Sequence, residues 1–121
     1  MAKSLKVLIA EDNPTNLLVL STMLSMLGCE ATVAEDGVEA VEAAVRDQPN
    51  LVLMDISMPR MNGMEATREI LAKLKDSGVK VVAVTANVTD AQRRACEQAG
   101  FAAFLDKPVS LEKLEAVLAA A

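Results

Sequence analysis

The sequence predicts a doubly wound α/β fold: a five-stranded parallel sheet in the order 2-1-3-4-5, with five helices covering its two faces. Two observations carry that expectation. Five short apolar runs each lead into a helix-start signal and then a stripe of apolar residues at helical spacing. The alternation runs through all 121 residues with no internal linker and no low-complexity stretch. That length holds one domain, residues 1–121, with a sizeable core and no room for a second.

The first strand is Lys6 to Ala10, ending in the acidic pair Glu11-Asp12. Asn13 caps the following helix and Pro14 occupies its first turn. Leu17, Leu20, Leu24 and Leu27 form the inward stripe, and Gly28 stops the helix. Glu30 to Ala34 is the second strand. Asp36 with Glu39 reads as a capping box opening a helix to about Asp47. Pro49 precedes the third strand, the stretch Leu51 to Pro59 (LVLMDISMP), whose four apolar residues run into Asp55 and suit burial on both faces. After the loop SMPRMNG, Asn62 with Glu65 opens a third helix that turns Ile70, Leu71 and Leu74 inward and closes at Gly78. Val79 to Val84 is the fourth strand, ending at Thr85. Thr89 and Gln92 cap a fourth helix that stops at Gly100, and Phe101 to Leu105 forms the fifth strand. Asp106, Lys107 and Pro108 follow. Ser110 then caps a last helix with Leu111, Leu114, Val117 and Leu118 on one side.

Composition excludes several classes of function. Hydrophobic residues make up 52% of the chain and aromatics 2%, so the core is aliphatic. The formal charge is −5 with no basic tract, which argues against nucleic acid or an anionic membrane surface as partner. No apolar run reaches membrane-spanning length, and the first residues are too short a hydrophobic run for a signal peptide. Cys29 and Cys96 lack the spacing of a metal or redox motif, which suits reduced thiols in the cytoplasm. There is no histidine, so histidine bases and histidine-ligated metals are excluded together.

What remains is the chemistry of the strand ends. In the order 2-1-3-4-5, strands one, three, four and five are neighbours. Glu11-Asp12, Asp55, Thr85 and Lys107 therefore converge beyond their carboxyl ends, where such folds bind ligands. The bland readings are a dipole-favoured acid at a helix start, an ordinary strand-end threonine and a solvated lysine. Their joint placement points elsewhere. Two carboxylates 4 Å apart repel by about 4 kcal/mol at an effective dielectric of 20. An all-oxygen cluster is relieved by a hard cation such as Mg²⁺, which keeps waters and accepts phosphate oxygens. Lys107 and Thr85 suit an incoming anion. Together these groups describe a site where a carboxylate attacks a phosphoryl group. Glu35 and Asp36 end the second strand at the sheet edge, and read as a solvated side chain and a cap.

The ED at 11–12, MDISMPRMNG at 54–63, VTA at 84–86 and DKP at 106–108 carry a resemblance that covers essentially the whole chain. It resembles the receiver domain of two-component response regulators, the flavodoxin-like CheY family. The wording of its motifs is closest to receivers attached to hybrid sensor histidine kinases. The resemblance implies Asp55 as phosphoacceptor. It implies a Mg²⁺ site, open to Mn²⁺, formed by Asp12, Glu11 through water, Asp55 and the backbone carbonyl of Ser57. Thr85 would donate to the phosphoryl group, Lys107 would pair with it, and Lys107-Pro108 would be a cis peptide. Thr85 and Phe104 would form the switch; Phe104 stands where many members carry tyrosine, so the switch rests on ring burial. Ser57 and Asn87 would tune phosphoryl lifetime.

The function so implied is a signalling switch, not an enzyme with turnover, although it takes part in its own phosphorylation and dephosphorylation. Its donor is a histidine kinase or histidine phosphotransfer protein, and its output partner meets the fourth helix, fifth strand and fifth helix. The domain contacts neither nucleic acid nor membrane and lies in the cytoplasm, or on its side of the membrane within a hybrid kinase. An aspartate-nucleophile phosphatase of the haloacid dehalogenase type is the alternative. It needs a second Asp two residues after the first, and this chain has Ser57. A flavin carrier would need a phosphate-welcoming loop where EDNPTN stands. Met58 and Met61 flank the site loop, and Arg93 and Arg94 read as a solvated helix face.

Overall fold

Alternation along each central strand divides its side chains between two cores. The computed structural model describes residues 5–56, 63–85, 89–107 and 109–119. Val7, Ile9, Leu51, Leu53, Val82 and Val84 point to one face of the sheet, and Leu8, Ala10, Val52, Met54, Val81 and Ala83 to the other. Period-two alternation with both sets apolar is the signature of a strand buried on both sides.

The strands are β1 (Lys6–Ala10), β2 (Glu30–Ala34), β3 (Leu51–Asp55), β4 (Lys80–Thr85) and β5 (Ala103–Asp106), all parallel in the order β2-β1-β3-β4-β5. The helices are α1 (Pro14–Met26), α2 (Gly37–Asp47), α3 (Gly63–Lys73), α4 (Asp90–Ala99) and α5 (Leu111–Ala119). The predicted strand order and the alternation are those observed. α1 and α5 supply Leu20, Leu24 and Leu114 to the first core; α2, α3 and α4 supply Ala40, Ala44, Ala66, Ile70 and Cys96 to the second.

The caps follow the local sequence closely. Asn13 Oδ1 accepts from the Asn16 N–H at 3.0 Å, with Pro14 at the start of α1. Asp36 Oδ1 accepts from Glu39 N–H at 2.9 Å, but the returning Glu39 carboxylate reaches the Glu35 N–H, at 3.5 Å. Thr89 caps α4 through Gln92 N–H at 3.1 Å, and Ser110 caps α5 through Lys113 N–H at 3.2 Å. The expected cap at Asn62 lies outside the described residues.

Several boundaries differ from expectation. β5 begins at Ala103 rather than Phe101. The Phe101 N–H is taken by the Cys96 carbonyl as α4 unwinds through Gly100 (φ +102°), and its ring fills the core. The shift carries Asp106 into the strand. β4 begins at Lys80, one residue late. α3 ends at Lys73, so Gly78 closes the turn that follows and not the helix itself. α2 ends on Gln48 in the left-handed region (φ +47°), a stop the sequence did not signal. Leu111 is exposed, because Leu114 alone of the α5 stripe is fully buried.

Candidate phosphoryl-transfer site

Register brings the carboxyl ends of four strands level. Ala10 lies opposite Met54, Asp55 opposite Val84, and Thr85 opposite Asp106. The residues at or just beyond these positions share one edge of the sheet, the crevice where a doubly wound fold binds ligands. The placement follows from strand lengths alone. The apolar runs of β1 and β3 stop level with each other and those of β4 and β5 one residue later, so the polar residues that follow emerge at the same edge.

Glu11 leaves β1 with its main chain still pinned, its N–H donating to the Ala34 carbonyl at 3.0 Å. Its side chain is buried, and Oε2 accepts from the Asn13 N–H at 3.3 Å. One residue, Asn13, thus caps α1 with its side chain and holds Glu11 with its backbone. Asp12 is exposed at the mouth. Asp55 is 6% exposed, at the end of a strand flanked on both sides by β1 and β4. Carboxylate oxygens of Glu11, Asp12 and Asp55 all lie within 4.8 Å of one another.

Lys107 answers part of that charge. Its Nζ lies 3.0 Å from Glu11 Oε1 and 3.4 Å from Asp55 Oδ2. The Glu11 contact is an ion pair without hydrogen-bond direction, which leaves Oε1 buried and short of a donor. The Lys107 N–H donates to the Thr85 carbonyl at 2.9 Å, tying the lysine to the end of β4. Burial by itself pulls the Lys107 ammonium down, but the adjoining Glu11 and Asp55 carboxylates outweigh it and hold its pKa above the ordinary lysine value. The lysine stays charged in the site. Thr85 is 7% exposed at the same edge.

Three carboxylates against one ammonium leave the cluster net negative. Oxygen-only donors, one of them buried and under-satisfied, fit a hard divalent cation such as Mg²⁺. Glu11, Asp12, Asp55, Thr85 and Lys107 therefore meet as the sequence suggested. The Ser57 carbonyl, Met58, Met61, Asn87 and the Lys107-Pro108 peptide lie outside the described residues. Asp36 is buried as a cap, and Glu35 is exposed, lining a surface cavity together with Glu11 and Asp12.

Phe104 is half-buried on β5 opposite Ala83, packed against the core on the α2–α3–α4 side. The Arg93 guanidinium carbon lies 5.6 Å from its ring centroid. Arg93 was read as a solvated residue; it is exposed, yet it stacks a cation on the ring, a contact of about 0.5–1 kcal/mol at such sites. Nothing in the spacing of residues 93 and 104 signals that pairing, which exists only because α4 and β5 pack together. Cys29 and Cys96 are free thiols whose pKa burial raises, as expected of packing residues.

A sheet in this order, with acids, a threonine and a lysine gathered at its carboxyl edge, is the arrangement of response regulator receiver domains. The chain belongs to that family, whose model matches residues 7–119. It is 38% identical over 116 residues to the sensor protein GacS of Pseudomonas syringae pv. syringae, covering 93% of this chain and 13% of that one. The chain thus spans a small part of the length of that relative. Among solved structures it is similar to the receiver domain of sensor histidine kinase PA1611 from Pseudomonas aeruginosa PAO1, which holds a magnesium ion coordinated in its active site cleft. That match has a TM-score of 0.87 and 38% identity, covering 96% of this chain and 95% of that one. It is also similar to the structure of the Saccharomyces cerevisiae response regulator Ssk1 receiver domain with the histidine phosphotransfer signaling protein Ypd1. There the TM-score is 0.85 and the identity 30%, covering 95% and 86% of the two chains. Among the described residues, no helix is long and apolar enough to cross a membrane.

Proposed function

We propose that Asp55 is the phosphoacceptor of a phosphorelay receiver, and that residues 1–121 act as one such domain. The observation that carries this is the meeting of the Glu11, Asp12 and Asp55 oxygens within 4.8 Å, with the Lys107 ammonium 3.4 Å from Asp55. An Asp55 oxygen attacks the phosphorus of a partner's phosphohistidine. The P–N bond breaks, its electron pair returns to the imidazole, and an aspartyl phosphate remains. Glu11 (through water), Asp12 and Asp55, with the Ser57 carbonyl, would hold Mg²⁺ or Mn²⁺, which would supply charge neutralisation for the transferring phosphoryl group. Lys107 is already charged and within reach of Asp55, so it needs only a small movement to pair with a phosphoryl oxygen. The Thr85 hydroxyl donates to another.

The rearrangement of Thr85 and Phe104 then changes the surface formed by α4, β5 and α5, where a downstream protein binds. Moving such an equilibrium from 1:99 to 99:1 takes about 5.5 kcal/mol of differential stabilisation. One new dianion beside a lysine, a hydroxyl and a cation is of the right order. The magnesium in the cleft of the PA1611 receiver and the pairing of the Ssk1 receiver with a phosphotransfer protein support this reading. The likeness to the sensor protein GacS supports a place within or beside a sensor kinase; within a hybrid kinase the domain would lie on the cytoplasmic side of the membrane.

The test is labelling by acetyl phosphate in Mg²⁺. The unaltered chain takes up one phosphoryl group as an acyl phosphate labile to alkali and hydroxylamine, and Asp55→Asn takes up none. Undiminished labelling of Asp55→Asn overturns the assignment, and steady turnover of a small phosphomonoester points to a phosphatase instead.

A further inference from the structure

The first residue of α3 sits against the backbone that carries Asp55. A Cβ placed on Gly63 would lie 2.5 Å from the Asp55 carbonyl oxygen, 2.6 Å from the Ile56 Cα and 3.0 Å from the Asp55 carbonyl carbon. All three are main-chain atoms, so none can rotate out of the way as a side chain would. The Gly63 N–H donates to the Ile56 carbonyl at 3.2 Å, which fastens the two segments where they touch.

We propose that Gly63 is a positioning residue for the Asp55 carboxylate: with no side chain there, the start of α3 rests directly on the Asp55–Ile56 peptide and fixes it. This rests on Asp55 being the phosphoacceptor. Neither partner in the contact has slack to yield. β3 is the central strand, paired to β1 and β4, and α3 is anchored by the fully buried Ala66, Thr67 and Ile70. A methyl group at position 63 forces a displacement of several tenths of an ångström, and the Asp55 peptide must take part of it. Reacting groups are held to about 0.5 Å, and a misplacement near 1 Å costs on the order of 100-fold in rate.

Gly100 supplies the matched control. A Cβ there meets only the end of the Leu71 side chain, at 2.5 Å, but the residue has φ +102°, so Gly100→Ala strains the fold. It lies at the end of α4 that leads into β5, on the opposite edge of the sheet from Asp55.

Gly63→Ala, Gly100→Ala and Asp55→Asn are compared with the unaltered chain at a temperature where all are folded. Two quantities are read: the labelling rate by acetyl phosphate at saturating Mg²⁺, and the rise in Tm that Mg²⁺ produces. Gly63→Ala is expected to label about 10–100-fold more slowly and to show a smaller Mg²⁺-dependent rise. Gly100→Ala is expected to have a lower Tm with an unchanged rate and an unchanged rise. An unchanged rate in Gly63→Ala, or equal losses in the two glycine variants, overturns the proposal. Equal labelling of the unaltered chain and Asp55→Asn instead overturns the phosphoacceptor reading and says nothing against the packing at Gly63. If Gly63→Ala does not fold, it is made again with Thr67→Val, which removes an unpartnered buried hydroxyl. Failure to fold there too assigns Gly63 to the fold alone and ends the proposal.

Discussion

The two faces of the sheet are covered in different ways. On one, α2 and α3 bury Gly37, Ala40, Val41, Ala43, Ala44, Gly63, Ala66, Thr67 and Ile70, and α4 adds Cys96 and Ala99. Small residues let these helices lie close to the strands, and the load is spread over many contacts. On the other, α1 buries only Leu20 and Leu24, and α5 only Leu114. Leu18, Val19, Met26 and Leu111, all on these two helices, remain exposed. The first face is a distributed contact. The second gives each helix one or two fully buried anchors, with Leu17 and Met23 of α1 and Val117 and Leu118 of α5 packed half-buried beside them.

Ile70→Ala tests the crowded face and has the largest expected effect on stability. Its side chain is fully buried among residues with little room to collapse, so the loss is about 3–4 kcal/mol, read as a lower midpoint in urea for the whole domain. A loss under about 1 kcal/mol would show that this face yields more readily than its packing implies. Leu114→Ala tests the anchored face. A loss of about 2–3 kcal/mol is expected, with hydrogen exchange rising over residues 111–119 well before the rest of the sheet exchanges. Uniform loss of protection would mean that α5 is bound into the core as firmly as α3. The smallest effect has the opposite sign. Among the described residues the fully buried Thr67 hydroxyl has no hydrogen-bond partner, so Thr67→Val stabilises the domain by about 1 kcal/mol. A destabilised variant would point to a partner for the hydroxyl, such as an ordered water.

The same contrast explains what could be read from the sequence. Strands and caps were legible because their signals are local: KVLIA and LVLMD are buried almost throughout, as continuous apolar runs predict, and Asn13, Asp36, Thr89 and Ser110 cap where they stand. The site was legible because its residues are the first or second polar ones after the apolar runs of β1, β3, β4 and β5. What was missed depends on distant neighbours. Phe101 belongs to an apolar run, but its amide is claimed by α4. Arg93 finds Phe104 only across the α4–β5 contact. Gly63 is one letter of a loop motif until the peptide it touches is known.

The site is drawn from positions 11, 12, 55, 85 and 107, and they hang on different parts of the sheet. The three carboxylates sit at the ends of β1 and β3, which pair directly with each other, whereas Lys107 follows the edge strand β5 and is held through the Thr85 carbonyl at the end of β4. Loosening of β5 alone would therefore withdraw the ammonium and leave the acid cluster standing, so the charge balance of the cleft is set from the rim of the sheet while its acidity is set from the centre.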